Sequence, residues 1–249
     1  MYIDLRPHLT QPVIKIDYNY IKYNDPKFSG KLCFLWNDSI YFPKTPNLNE
    51  FIGEQLAKEI GLRTVIFDLF ENIYNGEIMI ASKSFINPNS KYSFYTNNLD
   101  INNPNDNNLR DKCINNNNYQ HLLNNLLKML SLDIYMGQRD RWFPNFQLEK
   151  YDTGYLDLAP LYDYTDSSWN EGISYVGELY NFIYKEDYDI FFNTYPNALE
   201  YLKIIKKIDL KNILKKIEQT KSIKLPQDII DIYLKREEFS QKKLEKIIK

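Results

Sequence analysis

Three oxygen-bearing side chains stand near one another in the second half of a 249-residue chain. Asp140 and Asn145 lie five positions apart in MGQRDRWFPNFQLEK, and Asp163 closes LDLAPLYD a short way on. Carboxylates and carboxamides offer hard oxygen donors, which magnesium prefers. A carboxylate followed five residues later by an asparagine is also a spacing used in phosphoryl transfer from a nucleotide. There the carboxylate orients an acceptor hydroxyl and takes its proton, and the asparagine holds the metal. Asp140 is therefore the candidate catalytic residue, and Asn145 and Asp163 are the candidate metal ligands. The spacing by itself is weak, because Asp and Asn are common in this chain.

These residues need elements that bring them together. Phe146, Gln147 and Leu148 read as a strand, residues 151–154 as a turn, and Leu156 to Leu158 as the returning strand. Such a hairpin would carry Asn145 and Asp163 back to one place. The competing reading of Asp163 is a turn or helix cap. Upstream, YQHLLNNLLKMLSLDIYMG sets Leu122, Leu123, Leu126, Leu127, Leu130 and Ile134 on one helical face and runs straight into the motif. Asp133, Asp157 and Asp166 read as structural charges beside the site.

Nucleotide chemistry also needs a cation for the phosphates, and a carboxylate to steady it. Lys44 ends the strand candidate SIYFPK, and Glu50 opens the helix candidate NLNEFIGEQLAKEIGL, with Glu54 as the alternative partner. The competing reading makes Lys44 a strand-end surface lysine and Glu50 a helix-dipole charge. A Gly-rich G-x-G-x-x-G loop is absent. Its only substitute is FSGK, in which Ser29, Gly30 and Lys31 are candidate nucleotide contacts. Gly30 permits close backbone approach to phosphate.

The remaining sequence supplies a frame. PVIKIDYNYIKY, KLCFLW and SIYFPK read as strands, with Asn37-Asp38 as a turn. Asn47 or Asn49 caps the helix that follows, and Gly61 stops it. RTVIFDLFENIY and GEIMIASKSF flank an Asn75-Gly76 hairpin signal. The expected layout is a small β-rich lobe over residues 1–86 with one helix, an Asn-rich insertion or loop over 87–118, and a helical lobe over 119–249. Three more helices are expected in the tail, with Pro226 in the first turn of the last. This is an α+β chain.

Hydrophobic residues make up 43% of the chain, enough for a substantial core, and the formal net charge is -2. That balance gives no general basic field, so direct nucleic-acid binding is not expected. No 18-residue apolar run exists and no apolar signal core opens the chain, so no membrane association is expected. Two histidines and two distant cysteines leave little room for zinc or histidine catalysis and fit a reducing cytoplasm.

The motifs together resemble the HipA-like protein kinases. The family's catalytic loop resembles G-x-x-D-x-H-x-x-N-F, followed by a hairpin and L-x-P-x-Y-D; this chain reads GQRDRWFPNF, then LAPLYD. NEFIGEQLAKEIGL is similar to the family's first helix, and the likeness covers residues 29–61 and 120–165. The resemblance implies a two-lobed protein-kinase-like fold, ATP with Mg2+, and transfer to a serine or threonine hydroxyl on a protein. It also implies a toxin-antitoxin setting with an antitoxin or regulatory protein as partner. Two features depart from the family. The usual histidine is missing between Asp140 and Asn145, and there is no room for the extra N-terminal subdomain of full-length HipA toxins. Two alternatives stay open: a pseudokinase or nucleotide-binding interaction module, and a kinase of lipid or small-molecule hydroxyls.

Overall fold

The computed structural model describes residues 5–17, 21–22, 32–85, 93–94, 120–138, 140–141, 145–150, 156–169, 192–193 and 195–248. The N-terminal half builds one six-stranded sheet in the order β1-β5-β6-β4-β3-β2. Its strands are β1 (Ile14–Ile16), β2 (Ile21–Lys22), β3 (Leu32–Trp36), β4 (Ser39–Lys44), β5 (Phe67–Asn72) and β6 (Ile78–Lys83). β3 and β4 join through Asn37 and Asp38, both left-handed at φ 47° and 55°, the geometry a two-residue hairpin requires. Pro43 lies beyond Tyr41, where the pairing of β4 with β3 ends, and stands opposite Ala81 of β6. β1 runs parallel to β5, and the remaining neighbours are antiparallel.

Helix α1 (Leu48–Glu59) follows β4 after three residues. Asn47 caps it by accepting from the Asn49 N–H, and Gly61 turns the chain out at φ 68°. Ten of its residues, Leu48 to Ala57, are buried, including four polar side chains, Asn49, Glu50, Glu54 and Gln55. That burial marks α1 as an interior element rather than an amphipathic cover. Its charged positions must therefore find partners.

The C-terminal half is helical: α2 (Gln120–Met136), α3 (Pro196–Lys206), α4 (Leu210–Lys221) and α5 (Gln227–Ile248). Of the apolar stripe of α2, Leu122, Leu126, Leu127, Leu130 and Ile134 are buried and Leu123 is half-buried. Pro196 opens α3 in its first turn, whereas Pro226 sits one place outside α5. Its carbonyl accepts from the N–H groups of Ile229 and Ile230, so it acts as a cap and not as a first-turn residue. One continuous core joins α1, β5 and β6 to all four of these helices. Among the described residues, no helix is long and apolar enough to cross a membrane.

Between the halves lies a three-stranded sheet, β7 (Ser93–Phe94), β8 (Leu148–Lys150) and β9 (Leu156–Leu158), in that order. The strand expected at Phe146–Leu148 starts two residues later than its sequence suggests. The cause is local: Asn145 and Phe146 form a bend, and the Asn145 carbonyl is bound by the Arg141 side chain instead of by a strand partner. β8 and β9 pair antiparallel, with Leu148 opposite Leu158. The expected 151–154 turn, Trp142 to Pro144, and all of the 87–118 segment except β7 lie outside the described residues.

Candidate active site

Lys44 sits at the end of β4, opposite Ile80 of β6. Its Nζ donates to Glu50 Oε1 at 2.8 Å and to Asp163 Oδ1, also at 2.8 Å. One ammonium thus joins the sheet, α1 and the loop after β9. Burial works against this cation, but Glu50 and then Asp163 outweigh it and hold its pKa above the ordinary lysine value. Lys44 is therefore charged at any physiological pH.

Glu50 is fully buried and serves more than the lysine. Its Oε2 accepts from the Tyr164 N–H at 3.0 Å, and Oε1 accepts from the Thr165 hydroxyl. Glu54, the alternative partner for Lys44, points elsewhere. It accepts from Lys58, from Lys221 of α4 at 3.1 Å, and from the Phe67 N–H at 3.1 Å. Of the two glutamates, the first-turn one is bonded to Lys44.

Asp140 and Asn145 are in direct contact. Asn145 Nδ2 donates to Asp140 Oδ2 at 2.8 Å and to the Asp140 carbonyl at 2.8 Å. Both donors of the amide are spent, which fixes the aspartate and leaves the amide oxygen outward of that pair. Gln138 then links this loop to the other one. Its Nε2 donates to the Asp163 carbonyl at 2.7 Å, and its Oε1 accepts from the Asp140 N–H at 3.4 Å. The side chains of Asp140, Asn145 and Asp163 thus hang from a single hydrogen-bonded frame.

Arg141 is the buried pin of that frame, at 0% exposure. Its Nε meets Asp133 of α2 at 3.1 Å, and Nη1 donates to the carbonyls of Asn145 at 2.9 Å and Tyr162 at 2.7 Å. Burial lifts the Asp133 carboxyl while the guanidinium pulls it down, with a net upward shift. Burial likewise opposes the Arg141 charge, and Asp133 more than restores it. The planar guanidinium fork satisfies two loops and one helix at once. The guanidinium also lies 5.4 Å from the centre of the Tyr164 ring.

Two glycines make the approach of these pieces feasible. Gly137 ends α2 at φ 62°, and a Cβ there would stand 2.9 Å from the Trp169 N. Gly53 of α1 lies under the Tyr164 ring, where a Cβ would fall 2.2 Å from Cγ. Asp163 itself is left-handed at φ 62°, a conformation uncommon for a side-chain-bearing residue and retained only where surroundings enforce it.

The structure thus links Lys44, Glu50, Asp140, Asn145 and Asp163 through one chain of hydrogen bonds that runs by way of Gln138. Ser29, Gly30 and Lys31 lie outside the described residues. Four contributors carried no functional signal in the sequence reading: Gln138, Arg141, Asp133 and Tyr164. Asp133 could have been found, since it falls on the apolar stripe of α2 seven residues after Leu126. A charge on a buried stripe demands a partner.

No family model and no curated protein matches the chain. Solved structures do. The chain is similar to the Helicobacter pylori proinflammatory kinase CtkA, with 20% identity and a TM-score of 0.55, over 95% of this chain and 94% of that one. It is also similar to HipA of Shewanella oneidensis MR-1, solved as a toxin-antitoxin complex with HipB and operator DNA. There the identity is 15% and the TM-score 0.57, over 98% of this chain and 66% of HipA. The fold is accordingly the α+β kinase-like fold of HipA and CtkA.

Proposed function

We propose that this chain is an ATP- and magnesium-dependent protein serine/threonine kinase of HipA-like type. The observation that carries the proposal is Lys44, held at 2.8 Å by both Glu50 and Asp163, with Gln138 tying Asp163 to Asp140. A half-buried lysine paired with a buried glutamate, and an aspartate tied through Gln138 to an Asp–Asn couple, are what phosphate positioning, metal holding and hydroxyl orientation need.

The donor set fits magnesium. Asp163 spends Oδ1 on Lys44, and Asn145 spends Nδ2 on Asp140. One carboxylate oxygen and one amide oxygen remain, both hard donors. Two protein ligands suit an ion that completes its octahedron with phosphate oxygens and water. Bound there, magnesium would neutralise charge on the phosphates and orient the γ-phosphoryl group. Asn145 and Asp163 are the residues that would hold it.

The chain's own residues supply the rest. Lys44, kept protonated by its two carboxylates, presents a fixed positive charge to the α- and β-phosphates. Glu50 prevents that lysine from swinging away. Asp140, with Oδ2 engaged by Asn145, keeps Oδ1 to accept a hydrogen bond from the acceptor hydroxyl and to take its proton as the hydroxyl oxygen bonds to the γ-phosphorus and the bond to the β–γ bridging oxygen breaks, releasing ADP. Arg141 and Gln138 hold the two loops in register.

The likeness to the kinase CtkA supports phosphotransfer, the acceptor proposed is a protein hydroxyl, and the HipB complex supports an antitoxin or regulatory protein as partner. The setting proposed is cytoplasmic. Radiolabelled ATP with magnesium, offered to cell lysate and to lipid vesicles in parallel, separates the acceptor classes. Asp140→Ala is expected to lower transfer by about 10²–10⁴-fold and to leave nucleotide binding intact. Transfer at the parental rate would show that Asp140 is not the base, and absence of any transfer by the parent would leave a nucleotide-binding module.

A further inference from the structure

We infer that Asn49 is a positioning residue whose carboxamide clamps the 165–169 loop, and through it Asp163, onto the helix that carries Glu50. The inference rests on the kinase reading above for its catalytic consequence, though not for its geometry.

Asn49 is fully buried, one residue before Glu50. A carboxamide has two N–H donors and two oxygen lone pairs, and here all four are used. Nδ2 donates to the carbonyls of Thr165 at 3.1 Å and Ser167 at 3.0 Å. Oδ1 accepts from the Trp169 indole N–H at 3.1 Å and from the Tyr233 hydroxyl of α5 at 3.0 Å. None of these bonds serves the helix itself, whose first turn is already capped by Asn47. The side chain is spent entirely on segments more than a hundred residues away.

The loop it holds needs holding. Asp163 and Trp169 are both left-handed, at φ 62° and 63°. Such backbone persists only where neighbours over-determine it. Glu50 grips the start of the loop at Tyr164 and Thr165, and Asn49 grips its middle and end. The division of labour is directional. The donors face loop carbonyls, while the oxygen faces Trp169 and α5.

That direction yields a clean substitution. Asn49→Asp keeps the size and the accepting oxygen, removes both donors and sets a carboxylate against two carbonyl oxygens. Ser131→Ala is the control. Its hydroxyl is equally buried, bonded to Leu127 O at 2.8 Å and Ala198 O at 3.2 Å, between α2 and α3. Hydrogen exchange by mass spectrometry is measured on nucleotide-free protein, with kcat, KM for ATP and the half-saturating magnesium concentration measured alongside.

Asn49→Asp is expected to speed exchange in peptides covering residues 162–169 by about tenfold or more, the equivalent of one lost hydrogen bond. It should also lower kcat by about tenfold or more and raise the magnesium requirement, with the α2 core unchanged. Ser131→Ala should lower the melting temperature and move neither the loop nor kcat. Parental exchange in 162–169, or a uniform rise like that of a generally loosened fold, would overturn the clamp. If the parent transfers no phosphate, the kinase reading fails and the exchange data alone decide the clamp.

Discussion

Replacing Gly53 by alanine pits two elementary rules against each other. Glycine inside a helix is unfavourable, so Gly→Ala at an unhindered helical site stabilises by about 0.5–1 kcal/mol. Gly53 lies in the interior of α1, and helix propensity alone predicts a gain. The structure predicts the opposite. A Cβ at this position would stand 2.2, 2.4 and 2.6 Å from Cγ, Cδ1 and Cδ2 of Tyr164. Carbon atoms rest at about 3.5–4.0 Å, so the ring must retreat by roughly 1.5 Å. It has little room to do so. The Arg141 guanidinium lies 5.4 Å from the ring centre, and the phenol oxygen is 3.1 Å from the Thr64 hydroxyl. Tyr164 is also bonded through its N–H to Glu50 and adjoins Asp163. Displacing the ring therefore displaces the proposed metal ligand. Overpacking of this kind costs about 1–3 kcal/mol, and a 1 Å misplacement costs on the order of 10² in rate. For a chain of this length each kcal/mol lowers Tm by roughly 2–4 °C. Calorimetry and steady-state phosphotransfer on Gly53→Ala should show a Tm lower by several degrees and kcat lower by about two orders of magnitude. A variant as stable as the parent, with parental kcat, would refute the contact between Gly53 and Tyr164 on which the positioning of Asp163 depends.

Other outcomes follow from the same geometry. Arg141→Leu strands Asp133 without its partner and frees two loop carbonyls, so urea denaturation should show a loss of about 3–5 kcal/mol; a loss below about 1 kcal/mol would mean that the ion pair is not buried. Lys243 of α5 donates to the Ile134 carbonyl, and burial pushes its pKa down from 10.5 to about 8. Its native pKa lies below the unfolded value, so the unfolded chain holds more protons between about pH 8 and 10.5, and this group's contribution to stability rises with pH through that window. The stability difference between parent and Lys243→Met should accordingly move in the parent's favour from pH 7.5 to pH 10; a constant difference would contradict the buried cation.

Periodicity and turn chemistry made much of the frame legible. The α2 stripe, the Asn47 cap, the Gly61 stop and the Asn37-Asp38 hairpin each follow from local rules, and local rules suffice where a segment's neighbours in sequence are its neighbours in space. The Lys44–Glu50 pairing was legible for the same reason, since six residues and a tight turn separate the two. Arg141 carries no signal in the sequence, because its partners, Asp133 and the Tyr162 carbonyl, become neighbours only after the hairpin folds back. Gln138 and Asn49 escaped likewise. Their types are unremarkable, and their meaning lies in bonds to residues 163–169 and Tyr233. Pro226 and the start of β8 were misplaced by one and two residues, because a cap and a side chain bound to a carbonyl are tertiary facts at element ends.

The central claim is that Asn145 and Asp163 share one cation beside Lys44. A crystal grown with a non-hydrolysable ATP analogue and Mn2+ in place of magnesium tests it by anomalous scattering. The account predicts a peak about 2.0–2.3 Å from a carboxylate oxygen of Asp163 and the amide oxygen of Asn145, with phosphate oxygens completing the shell. A nucleotide bound with the metal elsewhere, or with those two side chains on different ions and Asp140 turned from the γ-phosphate, would contradict it.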